Sequence, residues 1–454
     1  MNLLEIGYAT GNINPELGIG VYGYYVPRFA KGILDDLEST ALALRCGDKT
    51  FVIVSIDNGG LKKDDVREVA ERIEALTGLD KNSVFVSATH THTAPLISDT
   101  FMFDADIEPI KKYRALMIER TAEAVKLALE DLSPARMGFA TGVAPDRVSY
   151  IRRYKMKDGT TQTCPPIDDP NIDHPIGEID RRVHVLRFAR EDKPDVVLFN
   201  YGLHADTVNG ELISADWPGQ LKKTLKDALG VECITVIGAE GDVGSTNVHP
   251  RGGDMNDTEI SFDNEMKSPG MARFIGRALA GTVLQVFDKV EFSDVESIDM
   301  LKKDIHVPSN MPTADELPRA REYARLHDEG RDDLIPFDAM ELTTVVAEAI
   351  RMVRLADGPE YFTFPLTGLR IGGVALLGIP GEPFTGIGVG IKEAEGWDLV
   401  IPAGLSGGYE GYFPMKSAFD EGGYEARTSP FKSGVAELII DEGKKLLVEL
   451  KSKQ

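Results

Sequence analysis

Three times in this sequence an apolar run of strand length is linked to another through a helical or glycine-rich stretch. Thr50-Phe51-Val52-Ile53-Val54-Ser55-Ile56 reads as a strand, KKDDVREVAERIEALTG as a helix closed by Gly78, and Val84-Phe85-Val86-Ser87 as the next strand. A second series runs from Val196-Val197-Leu198-Phe199-Asn200-Tyr201 to Ile234-Thr235-Val236-Ile237 through a helix opening at Asp216-Trp217-Pro218. Asp216 reads as its N-cap, and Pro218 stands in the first turn, where a missing N–H does no harm. A third pair is Val374-Ala375-Leu376-Leu377 and Leu399-Val400-Ile401, with glycine-rich loops after each. Such repeated units predict an α/β fold: a layered, mixed and partly parallel sheet flanked by helices, with the active site at the carboxyl ends of the strands. From about 308 to 360 the strand signal gives way to charged, helix-favouring sequence, read as a helical insertion. TCPPIDDPNIDHPIGEID, Thr163 to Asp180, reads as a long irregular loop.

The strand ends carry the chemistry. They are Asp57-Asn58-Gly59-Gly60, His90-Thr91-His92, Gly202-Leu203-His204-Ala205-Asp206, Gly238-Ala239-Glu240-Gly241-Asp242-Val243-Gly244-Ser245, Pro380-Gly381-Glu382-Pro383 and Gly407-Gly408-Tyr409-Glu410-Gly411-Tyr412. His90 and His92 lie two residues apart in a chain with eight histidines, and in an extended segment both imidazoles share one face. Imidazoles with a carboxylate form a zinc-type ligand set. Each member alone has a plainer reading: a histidine satisfying a sheet-edge hydrogen bond, a glutamate capping the following helix, ordinary half-buried tyrosines.

Charge narrows the function classes. Asp plus Glu number 73 against 50 Lys plus Arg, a net charge of -23, so the mean field repels polyanions and anionic bilayers. A nucleic-acid role is not expected, nor integral membrane association, since no run approaches the roughly 20 apolar residues of a membrane span. The start, MNLLEIGYATGNINP, lacks the basic flank and apolar run of a secretory signal, which gives a cytoplasmic expectation. Cys46, Cys164 and Cys233 are too few and scattered for a disulfide framework or a thiolate zinc knot.

Taken in order, these motifs resemble the catalytic domain of the neutral, non-lysosomal ceramidase family over nearly the whole chain. The matching blocks are IGYATGNINP with GVYGY, LESTALAL, VIVSIDNGG, SATHTHTAP, FNYGLHADTVNGELISADWPG, GAEGDVG, IPGEPFT and GYFPMKSAFDEGGYEA. The resemblance implies a single catalytic domain over 1–454 without the family's C-terminal β-sandwich. It implies Zn2+ held by His90, His204, Glu382 and Tyr412, with His92 on the substrate side or behind a ligand. Tyr424 would lie over the scissile carbonyl, and Arg152 would contact substrate, with Arg153 its close competitor. In the family a serine follows Gly-Asp-Val directly; here Gly244 intervenes, so that either Ser245 is displaced by one residue or backbone N–H groups take its place. Asp57 and Asp242 are expected to orient imidazoles or fix turns, with a purely structural turn role an equal reading for Asp242.

The expected function is hydrolysis of a C–N amide bond in a small or amphiphilic, ceramide-like substrate by metal-activated water. Zinc, Tyr424 and His92 would stabilise the oxyanion, and His92 would protonate the leaving amine. The alternatives are a zinc esterase or lactonase acting on a small soluble substrate, and a non-catalytic metal-binding module. Substrate identity and oligomeric state are not encoded in any motif.

Overall fold

The computed structural model describes residues 4–98, 105–249 and 267–453. The three expected strand pairs are present, and all are parallel: Lys49–Ile56 with Val84–Ala88, Val196–Tyr201 with Glu232–Ile237, and Val374–Gly378 with Leu399–Ala403. The first two pairs form opposite ends of one sheet. Its order is Glu232–Ile237, Val196–Tyr201, Arg182–Arg190, Ser133–Val143, Leu4–Asn12, Glu38–Cys46, Lys49–Ile56, Val84–Ala88, and the pairings between the two ends are antiparallel. The third pair belongs to a four-stranded sheet ordered Ile298–Pro308, Tyr361–Ile371, Val374–Gly378, Leu399–Ala403.

Side-chain alternation assigns each face of these sheets to a different core. Ile53, Leu42, Leu44 and Phe85 of the large sheet meet Leu369, Ile371, Leu376 and Ile401 of the small one, so the sheets pack face to face. The intervening residues Val52, Val54, Val84 and Val86 face the other way, toward helices Lys63–Thr77, Ile107–Glu130, Asp216–Leu229 and Pro269–Phe287. Leu366, Ala375 and Leu377 likewise turn outward, onto helices Thr385–Lys392 and Val435–Ser452. The result has four layers: helices, sheet, sheet, helices. Strands buried on both faces explain why the parallel runs look uniformly apolar. No helix among the described residues is long and apolar enough to cross a membrane.

Helix Lys63–Thr77 ends as expected at Gly78, which is left-handed at φ 76. Helix Asp216–Leu229 differs from expectation: its N-cap is Ala215, and Asp216 is the first helical residue at φ 58. Its buried carboxylate accepts the backbone N–H groups of Thr207, Val208 and Trp217, so it ties the preceding loop to the helix start instead of capping from outside. The stretch Thr163 to Asp180 is also not wholly irregular. Ile172–Pro175 pairs with Arg153–Met156, which also pairs with Thr161–Thr163, a small sheet whose alternation is too short to read against its prolines.

Helices Leu317–Asp328 and Ala339–Leu355 lie between strands Ile298–Pro308 and Tyr361–Ile371, which pair in continuous register from Ile298↔Ile371 to Pro308↔Tyr361. They therefore project from the far end of one β-hairpin, with an apolar cluster of their own around Leu326, Val346 and Ile350.

At the carboxyl ends of the parallel pairs the two sheets are stitched together. Gly404 N–H donates to the Ile237 carbonyl at 2.9 Å and Ala88 N–H to Leu405 at 3.1 Å, while Leu405 N–H donates to Gly381 at 2.8 Å and so joins the two loops of the small sheet. A side chain at Gly404 would stand 2.7 Å from the Gly238 carbonyl, so the approach requires glycine. Leu376 is fully buried between the sheets, so Leu376→Ala is expected to destabilise the protein by about 2–5 kcal/mol. Val448→Ala, at a residue 68% exposed, is expected to stay within about 0.5 kcal/mol, both read by denaturant or thermal unfolding.

Candidate metal centre and active site

Loops from both sheets deliver side chains to one point. His90 follows strand Val84–Ala88 in a left-handed conformation at φ 64, with its N–H donating to the Asn58 carbonyl at 2.9 Å. This turn aims the ring inward, and His90 Nδ1 donates to the Gly59 carbonyl. His204 Nδ1 donates to the Glu240 and Val243 carbonyls, at 2.9 and 3.0 Å. A carbonyl cannot donate, so both rings carry their proton on Nδ1 and present an Nε2 lone pair to the centre. His92 Nε2 lies 3.3 Å from His90 Nε2.

Glu382, beside Tyr412 in a short parallel pairing, accepts the Tyr409 hydroxyl on Oε1 at 2.6 Å. Its other oxygen, Oε2, is buried without a hydrogen-bond partner, 3.4 Å from His90 Nε2 and 2.9 Å from His204 Nε2. Lone pairs thus face lone pairs in a dry pocket, an arrangement relieved by added protons or by a cation. Protonation of the rings is opposed by burial, which holds His92 well below the ordinary imidazole range and His204 below it too, the latter with help from Arg152. A cation fits. Tetrahedral ligands about 2.0–2.2 Å from a metal stand about 3.3–3.5 Å apart; the His90–His92 and His90–Glu382 separations lie in that interval, and the His204–Glu382 separation of 2.9 Å is shorter. The ligand nitrogens of His90, His92 and His204 lie within 4.8 Å of one another, so His92 joins the candidate ligands.

Of the two competing arginines, Arg152 is the one that reaches the histidine cluster. Its Nη1 donates to His204 Nε2 at 3.0 Å and Nη2 to the Tyr412 hydroxyl at 2.9 Å, so it competes with a metal ion for the same two atoms. Fully buried Glu425 anchors it at 2.5 Å and accepts Thr163 Oγ1 at 2.7 Å. Arg153 turns away to Glu421 and the Gly422 carbonyl. Tyr424 packs edge-on to Tyr412, ring centroids 5.8 Å apart, and its hydroxyl is 3.5 Å from that of Tyr25. Burial pushes Tyr424 up to about 12 and Tyr412 well above the phenol range.

Other expected residues serve the frame. Asp57 does not orient an imidazole: its carboxylate accepts Glu38 N–H at 2.9 Å and pairs with Lys222 at 3.1 Å. Asp242 accepts the Thr385 N–H and hydroxyl, at 2.7 and 2.8 Å, and so fixes the turn into helix Thr385–Lys392. Ser245 is buried just past the pairing of Val243–Gly244 with Tyr150–Ile151, outside the hydrogen-bonded group around the histidines. Sequence reasoning gave no role to Tyr409, Glu425 or the Tyr22-Gly23-Tyr24-Tyr25 strap, although the GVYGY block and the tyrosine at a strand tip were visible. The strap closes over His92, and a side chain on Gly23, at φ 112, would stand 2.8 Å from that ring.

No protein-family model matches the sequence, and no curated protein matches it. Among solved structures, the chain is similar to a neutral ceramidase from Pseudomonas aeruginosa, with TM-score 0.73 and 19% identity over 99% of this chain and 75% of that one. It is also similar to a ceramidase complexed with C2, with TM-score 0.71 and 17% identity over 99% of this chain and 76% of that one. At these identities the likeness establishes the fold: the α/β architecture is that of the ceramidase structures.

Binding of one divalent cation per chain is expected, measurable by elemental analysis and calorimetry. His204→Ala should abolish it. Tyr409→Phe, which frees Glu382 Oε1, should weaken it by about 10–100-fold. Affinity should hold through neutrality and fall only at pH below the ordinary imidazole range, because burial holds His204 below that range and protons compete for its nitrogen only there.

Proposed function

We propose that this chain is a zinc-dependent amidohydrolase, a single catalytic domain cleaving the C–N bond of an N-acyl amine or ceramide-like amide. The observation that carries this reading is the meeting of unprotonated His90 and His204 nitrogens with the unpartnered Glu382 oxygen beside the Tyr412 and Tyr424 hydroxyls. His90, His204 and Glu382 would hold the ion, with Tyr412 as a fourth ligand when Arg152 yields its oxygen. Imidazole and carboxylate donors suit zinc. The likeness in fold to ceramidase structures supports an amide substrate.

When bound, zinc supplies a Lewis acid that polarises the carbonyl and makes water acidic enough to attack near neutral pH. The chain's residues do the rest. Tyr424 keeps its proton at neutral pH and can donate it as a hydrogen bond to the carbonyl oxygen as that oxygen gains charge. Arg152, held by Glu425, places a fixed positive charge on the same side. His92 is the most open of the three imidazoles, its side chain 13% exposed against 1% and 2% for His90 and His204. It is therefore the ring that can reach substrate, take a proton from water and pass it to the departing nitrogen.

The test is hydrolysis of N-acyl amines, N-acyl amino acids, lactones and ceramides of differing chain length by protein treated with chelator and then reloaded with zinc. Amide hydrolysis should vanish on chelation, return with zinc and be absent in His90→Ala. Tyr424→Phe should lower kcat by about 10²–10³-fold with KM little changed. An undiminished rate in metal-free protein would overturn the proposal, and turnover of esters or lactones without amides would replace it with the esterase reading.

A further inference from the structure

The large sheet ends at strand Val84–Ala88, which pairs with one strand only, Lys49–Ile56. The open edge of such a strand has to be covered. Near its carboxyl end a loop of the small sheet does so: Gly407 N–H donates to the Val86 carbonyl at 2.8 Å, beside the bond from Ala88 to Leu405. Near its amino end no described strand takes that place, and the Val84 carbonyl is met by the Lys302 ammonium at 3.4 Å. A cavity of about 240 Å³ opens here. Its floor is Phe85 of the edge strand, Val66 and Ala70 of helix Lys63–Thr77, and Pro365 of strand Tyr361–Ile371. It therefore lies where the two sheets and a helix meet without filling the space between them.

The rim of the cavity is charged against the sign of the whole molecule. Lys63, Arg67, Lys81 and Lys302 face one carboxylate, Glu71, in a chain whose net charge is -23. Arg67 and Lys81 are paired, with Asp64 at 2.6 Å and Glu71 at 3.5 Å. Lys63 and Lys302 form no ion pair among the described residues, and Glu410 and Asp80 act on them only through space. Charges of one sign around a cleft with apolar walls focus the field into it, so the cavity attracts an anion although the surface at large repels one.

Rim and floor make different demands, and one molecule has to meet both: a negative head for the lysines and an apolar tail for the floor. Pockets that take drug-sized ligands run to about 300–1,000 Å³, so this tail is short. We propose that the cavity is a binding site for a small amphiphilic carboxylate, its head between Lys63 and Lys302 and its tail on Val66, Ala70 and Phe85. None of the lining residues belongs to the metal centre, so the inference is independent of the amidohydrolase reading. A short-chain carboxylic acid released by the proposed hydrolysis would be one member of the class. Gly407, in the cavity wall, stands two residues before Tyr409, whose hydroxyl holds Glu382, so the two sites share a loop.

Calorimetry of the full chain with butanoate, hexanoate and octanoate tests the proposal. One site per chain is expected, with affinity rising about 2–4-fold for each added methylene. Octanol and inorganic phosphate, each lacking one half of the ligand, should bind at least about 10-fold more weakly than octanoate. Lys63→Met and Lys302→Met should each weaken octanoate by about 10-fold, the size of a lost hydrogen bond to a charged group. Both side chains are exposed, so these variants keep the fold, and either can be read without the other. Added salt should weaken octanoate binding as well. His204→Ala should bind octanoate as the wild type does, which separates this site from the metal centre. In crystals soaked with a bromine-tipped octanoate the bromine should lie beside Phe85. Octanol or phosphate binding as tightly as octanoate, unchanged affinity in either lysine variant, loss of binding in His204→Ala, or bromine elsewhere would overturn the inference.

Discussion

The site depends on one constraint: two sheets must end at the same level and be joined there. The bonds from Gly404 to Ile237, Ala88 to Leu405 and Leu405 to Gly381 are backbone to backbone, so they fix loop positions before any side chain is considered. Once the ends are joined, His90 and His204 from the large sheet and Glu382 from the small one have nowhere to point but at each other. The four-layer core behind them, apolar on both sheet faces, makes that joint rigid. A site assembled across two sheets could otherwise open by sliding.

What the sequence made legible was the part governed by period and order. Parallel strands buried on both faces announced themselves as apolar runs, and the polar residues at their ends followed from the rule that loops at those ends carry chemistry. His90, His92, His204, Glu382 and Tyr412 were found this way and Tyr424 through the family resemblance, and the structure gathers them. What could not be read is the pairing of segments whose approach depends on loop paths. Asp57 looked like a partner for an imidazole because nothing in its neighbourhood reveals Lys222, 165 residues on. Tyr409 could not be assigned to Glu382, nor Glu425 to Arg152, because those contacts follow from the joint between the sheets. The choice between Arg152 and Arg153 turned on strand phase: the pairing of Tyr150–Ile151 and that of Arg153–Met156 break at Arg152, freeing it toward the centre.

The three rings differ in what stands on their far sides. Carbonyls at His90 and His204 choose the tautomer without adding charge, whereas a carboxylate faces His92. One pocket therefore holds three chemically identical side chains with unlike partners behind them.

The helical pair projecting from the β-hairpin is tied to that centre through Tyr25, which packs on its apolar cluster and on His327, and through Arg427. Arg427, three residues beyond Tyr424 on the helix Tyr424–Thr428, donates to Glu341 at 2.7 Å and to Glu348 at 2.6 Å on helix Ala339–Leu355. Bulk that levers this helix outward pulls on the phenol as well. Displacement of the projecting pair and placement of the Tyr424 ring are in this way linked through the Arg427 guanidinium, without direct contact between helix and ring.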